Sequence, residues 1–257
     1  MANLLILKPA TIAAITASRG AASSANLLTA DPKEVWADTA VGTAVNIDID
    51  LGSVVPIDTV FLGYLSPPSA GSTWTITGGA AAYNTGVLKT SGPLRAIDSS
   101  GQFPLLSHAL ATFAQQSIRY LRLSVTQEVG ADTLIAGVVM TGKAFTPAYN
   151  KEWGAGRRVI DTGSATGLPS GGFSTVEGAR KRAYAWTLGD LSTDEVDVLE
   201  AIALDRGETL PVLVVEDPAA TTGQRNRIHY GLFQGLKQFD RRNVKQTRWE
   251  FTVEEWI

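Results

Sequence analysis

Residues 26–65, NLLTADPKEVWADTAVGTAVNIDIDLGSVVPIDTVFLGYL, decide the fold class of the first half of the chain. In the middle of this stretch apolar and polar residues alternate, with one side formed by Val45, Ile47, Ile49 and Leu51. A period of two is typical of a strand with one buried face. Gly52 and Pro56 interrupt the pattern, which resumes at Thr59. The stretch therefore predicts a loop carrying Trp36, an alternating strand, a tight turn and a second strand.

The composition indicates a globular chain without thiol chemistry. The 257 residues can bury one large core or two ordinary ones, and 44% of them are apolar. The absence of cysteine excludes disulfides and thiolate ligands. A net charge of −3 gives no reason to expect nucleic acid or an anionic membrane as a partner. The N-terminal apolar run is too short for a signal-peptide core, and no run reaches the length of a membrane span, so we expect no membrane insertion.

The uneven distribution of charge predicts two domains. Residues 1–147 hold 8 basic and 9 acidic side chains, whereas the shorter stretch 148–257 holds 14 and 16. We place the boundary at residues 147/148, close to Pro147.

Further strand patterns follow in the first domain. Residues 73–77 and 120–125 alternate, and residues 133–143 are nearly all apolar with several β-branched side chains. Short strands with turn signals and no convincing helix predict an antiparallel β-sandwich for residues 1–147.

The second domain carries the clearest helix signal of the chain. Ser192 fits the N-cap, Glu195 completes a capping box, and Gly207 is a C-terminal stop. A strand over 182–188 precedes this helix, and a strand over 210–215 and a hairpin of 227–238 with 243–256 follow it. The domain is therefore predicted as β-α-β followed by a β-hairpin. The Gly-, Ser- and Thr-rich stretch 149–172 predicts a long loop, with a Gly-rich arm at 161–175.

The search for catalytic residues favours a protein that is not an enzyme. The two histidines, His108 and His229, lie in different predicted domains, and no G-x-S-x-G motif occurs. We place His108 in a polar loop and His229 on a strand, as a surface or hydrogen-bonded residue rather than a base.

Two candidate small-ligand sites lie in the first domain. Asp48 and Asp50 share one strand face and could hold a hard cation such as a structural Ca²⁺ or act as a general acid and base pair, although a solvated strand face is the simpler interpretation. Trp36, with the adjacent Asp38 and with Tyr64, is the candidate for stacking on a sugar, against the alternative of a core residue. We expect no other cofactor.

The candidate assembly contacts lie in the second domain. Its basic clusters are flanked by acids, which favours ion pairs between subunits or solvated turns over nucleic-acid binding. The residues assigned to such contacts are Arg157, Arg158, Phe173, Arg180, Arg182, Arg241 and Arg242.

Residues 26–145 resemble a discoidin-type, galactose-binding-like jelly roll. The resemblance is carried by short matching pieces in the right order: NLL and VW, the strand ending Asp50-Leu51-Gly52, the strand from Trp74 to Gly78, and residues 119–123 followed by the strand 135–142. The disulfide of the extracellular versions is absent.

The second half is similar to small tail-tip and baseplate proteins of tailed bacteriophages, most closely to the distal-tail class. The similarity is carried by GGFSTVEGARKRAYAWTL, LSTDEVDVLEAI, LPVLVVEDP and RWEFTVEEW. In the usual layout the ring-forming domain comes first and the sandwich second, and here the order is reversed.

These resemblances imply a structural virion protein of the tail tip, assembled in the bacterial cytoplasm. Its partners would be copies of itself and tail tube, hub and fibre proteins. The alternative is a carbohydrate-binding module that attaches to a host surface glycan. A glycan-cleaving enzyme is a third and weaker alternative.

Overall fold

A computed structural model describes residues 2–40, 44–66, 71–94, 107–127, 133–220 and 224–257. The strands of the first part of the chain are β1 (Leu5–Pro9), β2 (Ala14–Ala17), β3 (Trp36–Ala37), β4 (Ala44–Leu65), β5 (Thr73–Gly79), β6 (Val87–Pro93), β7 (Ser107–Thr126), β8 (Ile135–Ala136) and β9 (Val138–Phe145). The later elements are β10 (Gly156–Asp161), β11 (Ser164–Gly167), β12 (Phe173–Val176), β13 (Arg180–Leu191), α1 (Thr193–Arg206), β14 (Val212–Val215), β15 (Ile228–Phe233), β16 (Asp240–Arg241) and β17 (Thr247–Glu255). Two 3₁₀ helices span Ala21–Leu28 and Gln224–Arg227.

The chain forms two compact units. The first consists of Met1–Thr146 and Leu213–Ile228, and the second of Pro147–Val212 and His229–Ile257. The sequence analysis assigned residues 213–228 to the second domain, but β14 pairs with β1, Leu5 opposite Val215. The fold-class prediction is confirmed, because strands dominate the structure and pair in an antiparallel manner.

The first unit consists of two antiparallel layers that share their two longest strands. In one layer the first part of β4 lies between β2 and β7, and β7 continues to β5 and β6. In the other, the last part of β4 lies between β7 and β9, and β9 continues to β1. Two packed layers of this kind are the architecture of a sandwich.

The predicted turn and second strand within residues 44–65 prove to be one continuous strand. The pairing of β4 with β7 shifts register between Asp50 and Val55, and Gly52 adopts a φ of 74° there. A β-bulge of this type bends a strand without ending it. Gly52 and Pro56 therefore mark a bend at which β4 passes from one layer to the other.

The predicted apolar side of the strand is confirmed. Val45, Ile47, Ile49 and Leu51 are buried in the core of the sandwich, together with Val60 and Leu62 from the second part of β4. The 3₁₀ helix Ala21–Leu28 was not predicted; its Leu27 is also part of this core.

The second unit contains a four-stranded antiparallel arrangement in the order β10, β13, β17, β15, with β16 attached to β17. Its buried face is aromatic. Trp249 stacks on Phe251 at 4.5 Å between ring centroids, and Phe251 contacts Trp186 at 5.4 Å. Trp249, Phe251 and Val253, which alternate along β17, are buried.

The capping signals of α1 are confirmed. The Ser192 side chain accepts a hydrogen bond from the Glu195 backbone N–H, while the Glu195 carboxylate accepts one from the Ser192 backbone N–H. Leu199 and Ile202 are the buried residues of the helix. Within the described ranges, no helix combines the length and the apolar character needed to cross a membrane.

The predicted loop over 149–172 is in part strand. Residues 156–161 form β10, which pairs with β13, and residues 164–167 form β11, which pairs with β12 to make a hairpin. Glycine, serine and threonine obscured these strands, because they give no apolar alternation on which a strand prediction could rest.

The capping box gives a stability prediction. Ser192→Ala removes the acceptor for the Glu195 N–H, and we expect the free energy of unfolding to fall by about 1 kcal/mol. Urea unfolding followed by circular dichroism at helix wavelengths measures this loss. Ser170→Ala, at an exposed position, is the control and should leave the midpoint unchanged. Equal midpoints for Ser192→Ala and the control would contradict the capping role.

Candidate functional site

Trp36 is a core residue and has no ring face available for a sugar. Its side chain is fully buried, and its indole N–H donates to the Arg19 carbonyl oxygen at 3.2 Å. The backbone at Gly20 packs tightly against the strand that carries Trp36. A side chain at Gly20, whose φ is 62°, would collide with the carbonyl oxygen of Ala37. The prediction of Trp36 as a stacking residue is therefore corrected, because sugar stacking needs an exposed ring.

The carboxylate of Asp38, like the indole of Trp36, is bonded within the protein. Both of its carboxylate oxygens accept from the Arg19 guanidinium, at 2.8 and 2.7 Å, and Oδ1 also accepts from the backbone N–H of Thr39. The side chain of Asp38 is fully buried. Asp38 and Arg19 thus fix the loop around Trp36, and Asp38 is not placed to bind a sugar.

Tyr64 and His108 form a second buried contact in the first unit. The backbone N–H of Tyr64, whose φ is 56°, donates to Nδ1 of His108 at 3.1 Å, and the two rings lie edge to face at 4.9 Å. An accepting Nδ1 carries no proton, so the imidazole is neutral in this arrangement. Both residues are buried. The predicted loop position of His108 and sugar-binding role of Tyr64 are therefore both wrong.

Asp48 and Asp50 are paired with arginines rather than free to bind a cation. Asp48 accepts two hydrogen bonds from Arg122, at 2.6 and 2.7 Å, and Asp50 accepts two from Arg119, at 2.8 and 3.0 Å. A guanidinium in each carboxylate fork opposes a second positive charge. In the described chain no group of three or more His, Asp or Glu side chains could hold a metal ion.

Two tyrosines that the sequence analysis did not single out cover these ion pairs. The rings of Tyr83 and Tyr120 lie edge to face at 5.0 Å. The Arg119 guanidinium is 4.8 Å from the centre of the Tyr120 ring, and that of Arg122 is 5.7 Å from the Tyr83 ring. These two tyrosines and the two Arg–Asp pairs form a half-exposed surface, which we call the Tyr–Arg face.

The titration behaviour of this face follows from its contacts. The hydrogen bonds from Arg119 and from the Gly52 backbone N–H lower the pKa of Asp50 below its usual range. Partial burial, followed by the charges of Asp50 and Asp48, raises the pKa of Tyr83 above its usual range. The two Arg–Asp pairs place two carboxylates beside two guanidiniums, so the formal charges of this face balance.

The second unit exposes a hairpin of residues 164–176, which covers most of the Gly-rich arm predicted at 161–175. From here on, the arm means residues 164–176. All eight residues of its strands β11 and β12 are exposed, with Phe173 at 73% and Val176 at 66%. Within the described chain, β11 and β12 pair only with each other. The predicted assembly residue Phe173 therefore lies on an exposed hairpin whose strands pair with no other strand among the described residues.

The basic residues assigned to assembly fall into two groups. Arg157 and Arg158 lie on β10, opposite Tyr184 and Ala183 of β13. Arg180 pairs with Asp161 at the base of the arm, where the Nε–Oδ2 distance is 3.1 Å, and Arg182 lies near the Tyr184 hydroxyl.

The remaining two lie near the β16–β17 turn. Arg241 donates to the Val244 carbonyl oxygen at 3.0 Å, and Arg242 pairs with Glu152 at 3.4 Å. Arg180, Arg241 and Arg242 thus have partners within their own chain.

His229 lies in the aromatic core of the second unit. It is buried, with its ring centroid 3.7 Å from that of Tyr184 and 5.3 Å from that of Trp186. The predicted surface position of His229 is therefore wrong. The aromatic packing identifies His229 as a core residue of the second unit.

Comparison with known proteins places the chain in no established family. No family model matches it, and no curated protein matches it. Among solved structures it is similar to chitosan-binding module 1 of a chitosanase/glucanase from Paenibacillus sp. IK-5, with 18% identity and a TM-score of 0.41 over 52% of this chain and 97% of that one.

Two further structures show the same level of similarity. The CBM32 module of AlyQ in complex with 4,5-unsaturated mannuronic acid is 22% identical, with a TM-score of 0.39 over 52% of this chain and 96% of that one. A Clostridium perfringens CBM32 module in complex with GalNAc-β-1,3-galactose is 13% identical, with a TM-score of 0.39 over 51% and 94%. The likeness concerns the fold of about half of the chain.

Burial of Trp36 gives a testable result. Trp36→Ala removes a fully buried indole and should lower the free energy of unfolding by about 3–5 kcal/mol. Thermal unfolding measures the change. Tyr149→Ala, which removes an exposed ring, is the control and should leave the unfolding temperature nearly unchanged. A Trp36→Ala protein as stable as wild type would contradict the core assignment.

The lowered pKa of Asp50 predicts a pH dependence. Because the folded-state pKa lies below the unfolded value, the Asp50–Arg119 pair stabilises the fold above the unfolded pKa of about 3.9 and this contribution is lost as the pH falls through the folded-state value. The free energy of unfolding of Asp50→Asn should therefore depend less steeply on pH in this acidic range than that of wild type. Arg119→Gln should flatten the same part of the curve. Equal slopes in all three proteins would contradict the assignment.

Proposed function

We propose that this chain is a structural protein whose second unit joins copies of the chain through the arm. The observation that carries this proposal is the exposed, uncharged hairpin of residues 164–176. The exposed apolar side chains of such a hairpin suit packing against a neighbour.

The first argument is the stability of the arm. A two-stranded hairpin is marginally stable in water by itself and needs a third strand or a packed face. β11 and β12 pair with no third strand among the described residues and are exposed along their whole length, although at their base the hairpin continues from β10 and β13 through the hydrogen bond from the Thr162 N–H to the Ala179 carbonyl oxygen. A neighbouring copy would supply the missing packing surface and cover Phe173 and Val176.

The second argument is the distribution of exposed apolar side chains. Of the thirteen exposed large hydrophobic residues in the described chain, six fall between residues 149 and 176. They are Tyr149, Trp153, Val159, Leu168, Phe173 and Val176. Concentrated exposed apolar residues are a sign of an interaction surface. Trp153, which is fully exposed, is the largest of them.

The third argument is charge. Residues 164–176 contain no charged side chain, although the second half of the chain carries 30. Solvent-exposed segments usually carry charges, whereas the centres of protein interfaces are depleted in them. β10 supports the same interpretation, because it lies at the edge of its sheet among the described strands, and sheet edges are common sites of contact with another chain.

An arm that contacts a different surface of the next copy makes a head-to-tail interface. Such interfaces close into rings or extend into filaments. The resemblance of the second half assigns this assembly to a phage tail tip, with tube, hub and fibre proteins as further neighbours in the virion. That part of the proposal rests on the resemblance alone. No reaction is assigned to the chain.

The alternative function, carbohydrate binding, needs a different surface from the one expected. Trp36, Asp38 and Tyr64 are buried, so they do not support it. The Tyr–Arg face offers the partly exposed rings of Tyr83 and Tyr120 instead.

The assembly proposal predicts the behaviour of the double variant Phe173→Ser/Val176→Ser. Burial of one large apolar side chain contributes about 1.5–3 kcal/mol, so self-association should weaken by at least about tenfold. Sedimentation velocity over a range of concentrations measures the association. The unfolding temperature of the variant, measured at a concentration at which the protein is monomeric, should equal that of wild type.

The control variant is Leu204→Ser/Val244→Ser, which removes two side chains that are also strongly exposed but lie outside the arm. It should associate as wild type does. A wild-type protein that stays monomeric at its highest soluble concentration, or equal association in both double variants, would contradict the proposal.

A further inference from the structure

We infer, on the premise that the arm joins copies of the chain, that Phe173 of one copy inserts into a cavity at the base of the next copy's arm. The occupant of this cavity is therefore a second copy of the chain. Both the inserted side chain and the receiving cavity belong to the second unit.

The cavity lies beside the base of the arm. Its volume is about 240 Å³, and its walls come from Thr162 and Ala179, which flank the arm, and from residues at the ends of β15 and β17. The Thr162 N–H donates to the Ala179 carbonyl oxygen at 3.0 Å and joins the two segments there. Phe173 lies at the other end of the arm, opposite Gly167 and next to the turn.

The apolar walls of the cavity are not used by the core of the second unit. Leu232, Trp256 and Ile257 line the cavity, and each is partly exposed. Leu232 lies opposite Glu254 in the pairing of β15 with β17. Because neighbouring residues of a strand point to opposite faces, this pair lies on the face away from the buried Val253.

The size of the cavity suits an aromatic side chain. A cavity of roughly 150 Å³ with apolar walls is enough to hold a benzene molecule. The volume of about 240 Å³ therefore accommodates the ring of Phe173 with part of the adjoining backbone. Phe173 is the only aromatic residue of the arm.

The charges of the cavity are compatible with the uncharged arm. Lys181 and Glu254 form an ion pair at its wall, with an Nζ–Oε1 distance of 2.5 Å. Glu255, which also lines the cavity, is only 7% exposed. Entry of the arm therefore separates no charge from its partner, and the aliphatic stem of Lys181 adds apolar surface for the ring.

Phe173 does not fill the cavity of its own chain, because its side chain is 73% exposed. Six residues separate it from Ala179, which corresponds to about 20 Å of extended chain. The inserted ring and the receiving cavity are thus different surfaces of one chain, and contact between them makes a head-to-tail interface. Each copy gives its arm to one neighbour and receives the arm of another.

The experiment mixes two variants, each of which lacks one side of the interface. Phe173→Ala removes the inserted ring, and Ala179→Trp fills the cavity from an exposed wall position. In sedimentation velocity each variant alone should associate at least about tenfold more weakly than wild type. The equimolar mixture should form dimers and no larger species, because the arm of Ala179→Trp fits the cavity of Phe173→Ala and the other two surfaces are inactive.

The control is Ala22→Trp, which adds the same side chain at an exposed position of the first unit and should associate as wild type does. Gln234→Trp blocks the cavity from a second exposed wall position. It should reproduce the behaviour of Ala179→Trp, alone and in the mixture, and maintains the test if Ala179→Trp fails to fold.

Two results would overturn the inference while leaving the assembly proposal intact. One is association of both cavity variants at the wild-type level, and the other is a mixture that associates no more strongly than its components. In either case the arm would contact a different surface of the next copy. A wild-type protein that stays monomeric would contradict the assembly proposal and this receiving site together.

Discussion

The pairing of β4 with β7 is the constraint on which the first unit depends. The two strands stay in register from Ala44 to Asp50, shift before Val55, and continue to Leu65 with two further shifts, between Ile57 and Thr59 and between Leu62 and Leu65. Because of the first shift one pair of strands serves both layers of the sandwich, and its apolar side chains remain in a single core. The same pairing brings Asp50 close to Arg119 and Asp48 close to Arg122, so that the bend and the Tyr–Arg face arise from one feature.

The two units present surfaces of opposite character. The Tyr–Arg face is polar, internally paired and held by two neighbouring strands, and such preorganised groups suit recognition of a small polar ligand. The arm is uncharged and unpaired with the rest of the described chain, which suits packing against another protein surface.

Local sequence signals predicted several strands and the helix α1, whereas contacts between residues distant in the sequence could not be predicted from them. Alternation identified the strand at Val45–Leu51, and Ser192 with Glu195 identified the start of α1, because both patterns act over a few residues. The predicted roles of the site residues were wrong because their contacts are distant in the sequence. The indole N–H of Trp36 donates to the carbonyl oxygen of Arg19, and Arg119 pairs with Asp50, 69 positions away. Nothing near these residues in the sequence indicates such partners.

The central claim is that the arm of one copy contacts another copy. Its most direct test is photo-crosslinking from a benzophenone amino acid placed at position 173, with a second protein carrying it at position 244 as a reference. The account predicts covalent dimers and higher species from position 173 under conditions in which position 244 gives few, and mass spectrometry should locate the bonds between copies. Crosslinks from position 173 that stay within one chain, or equal yields from both positions, would contradict it.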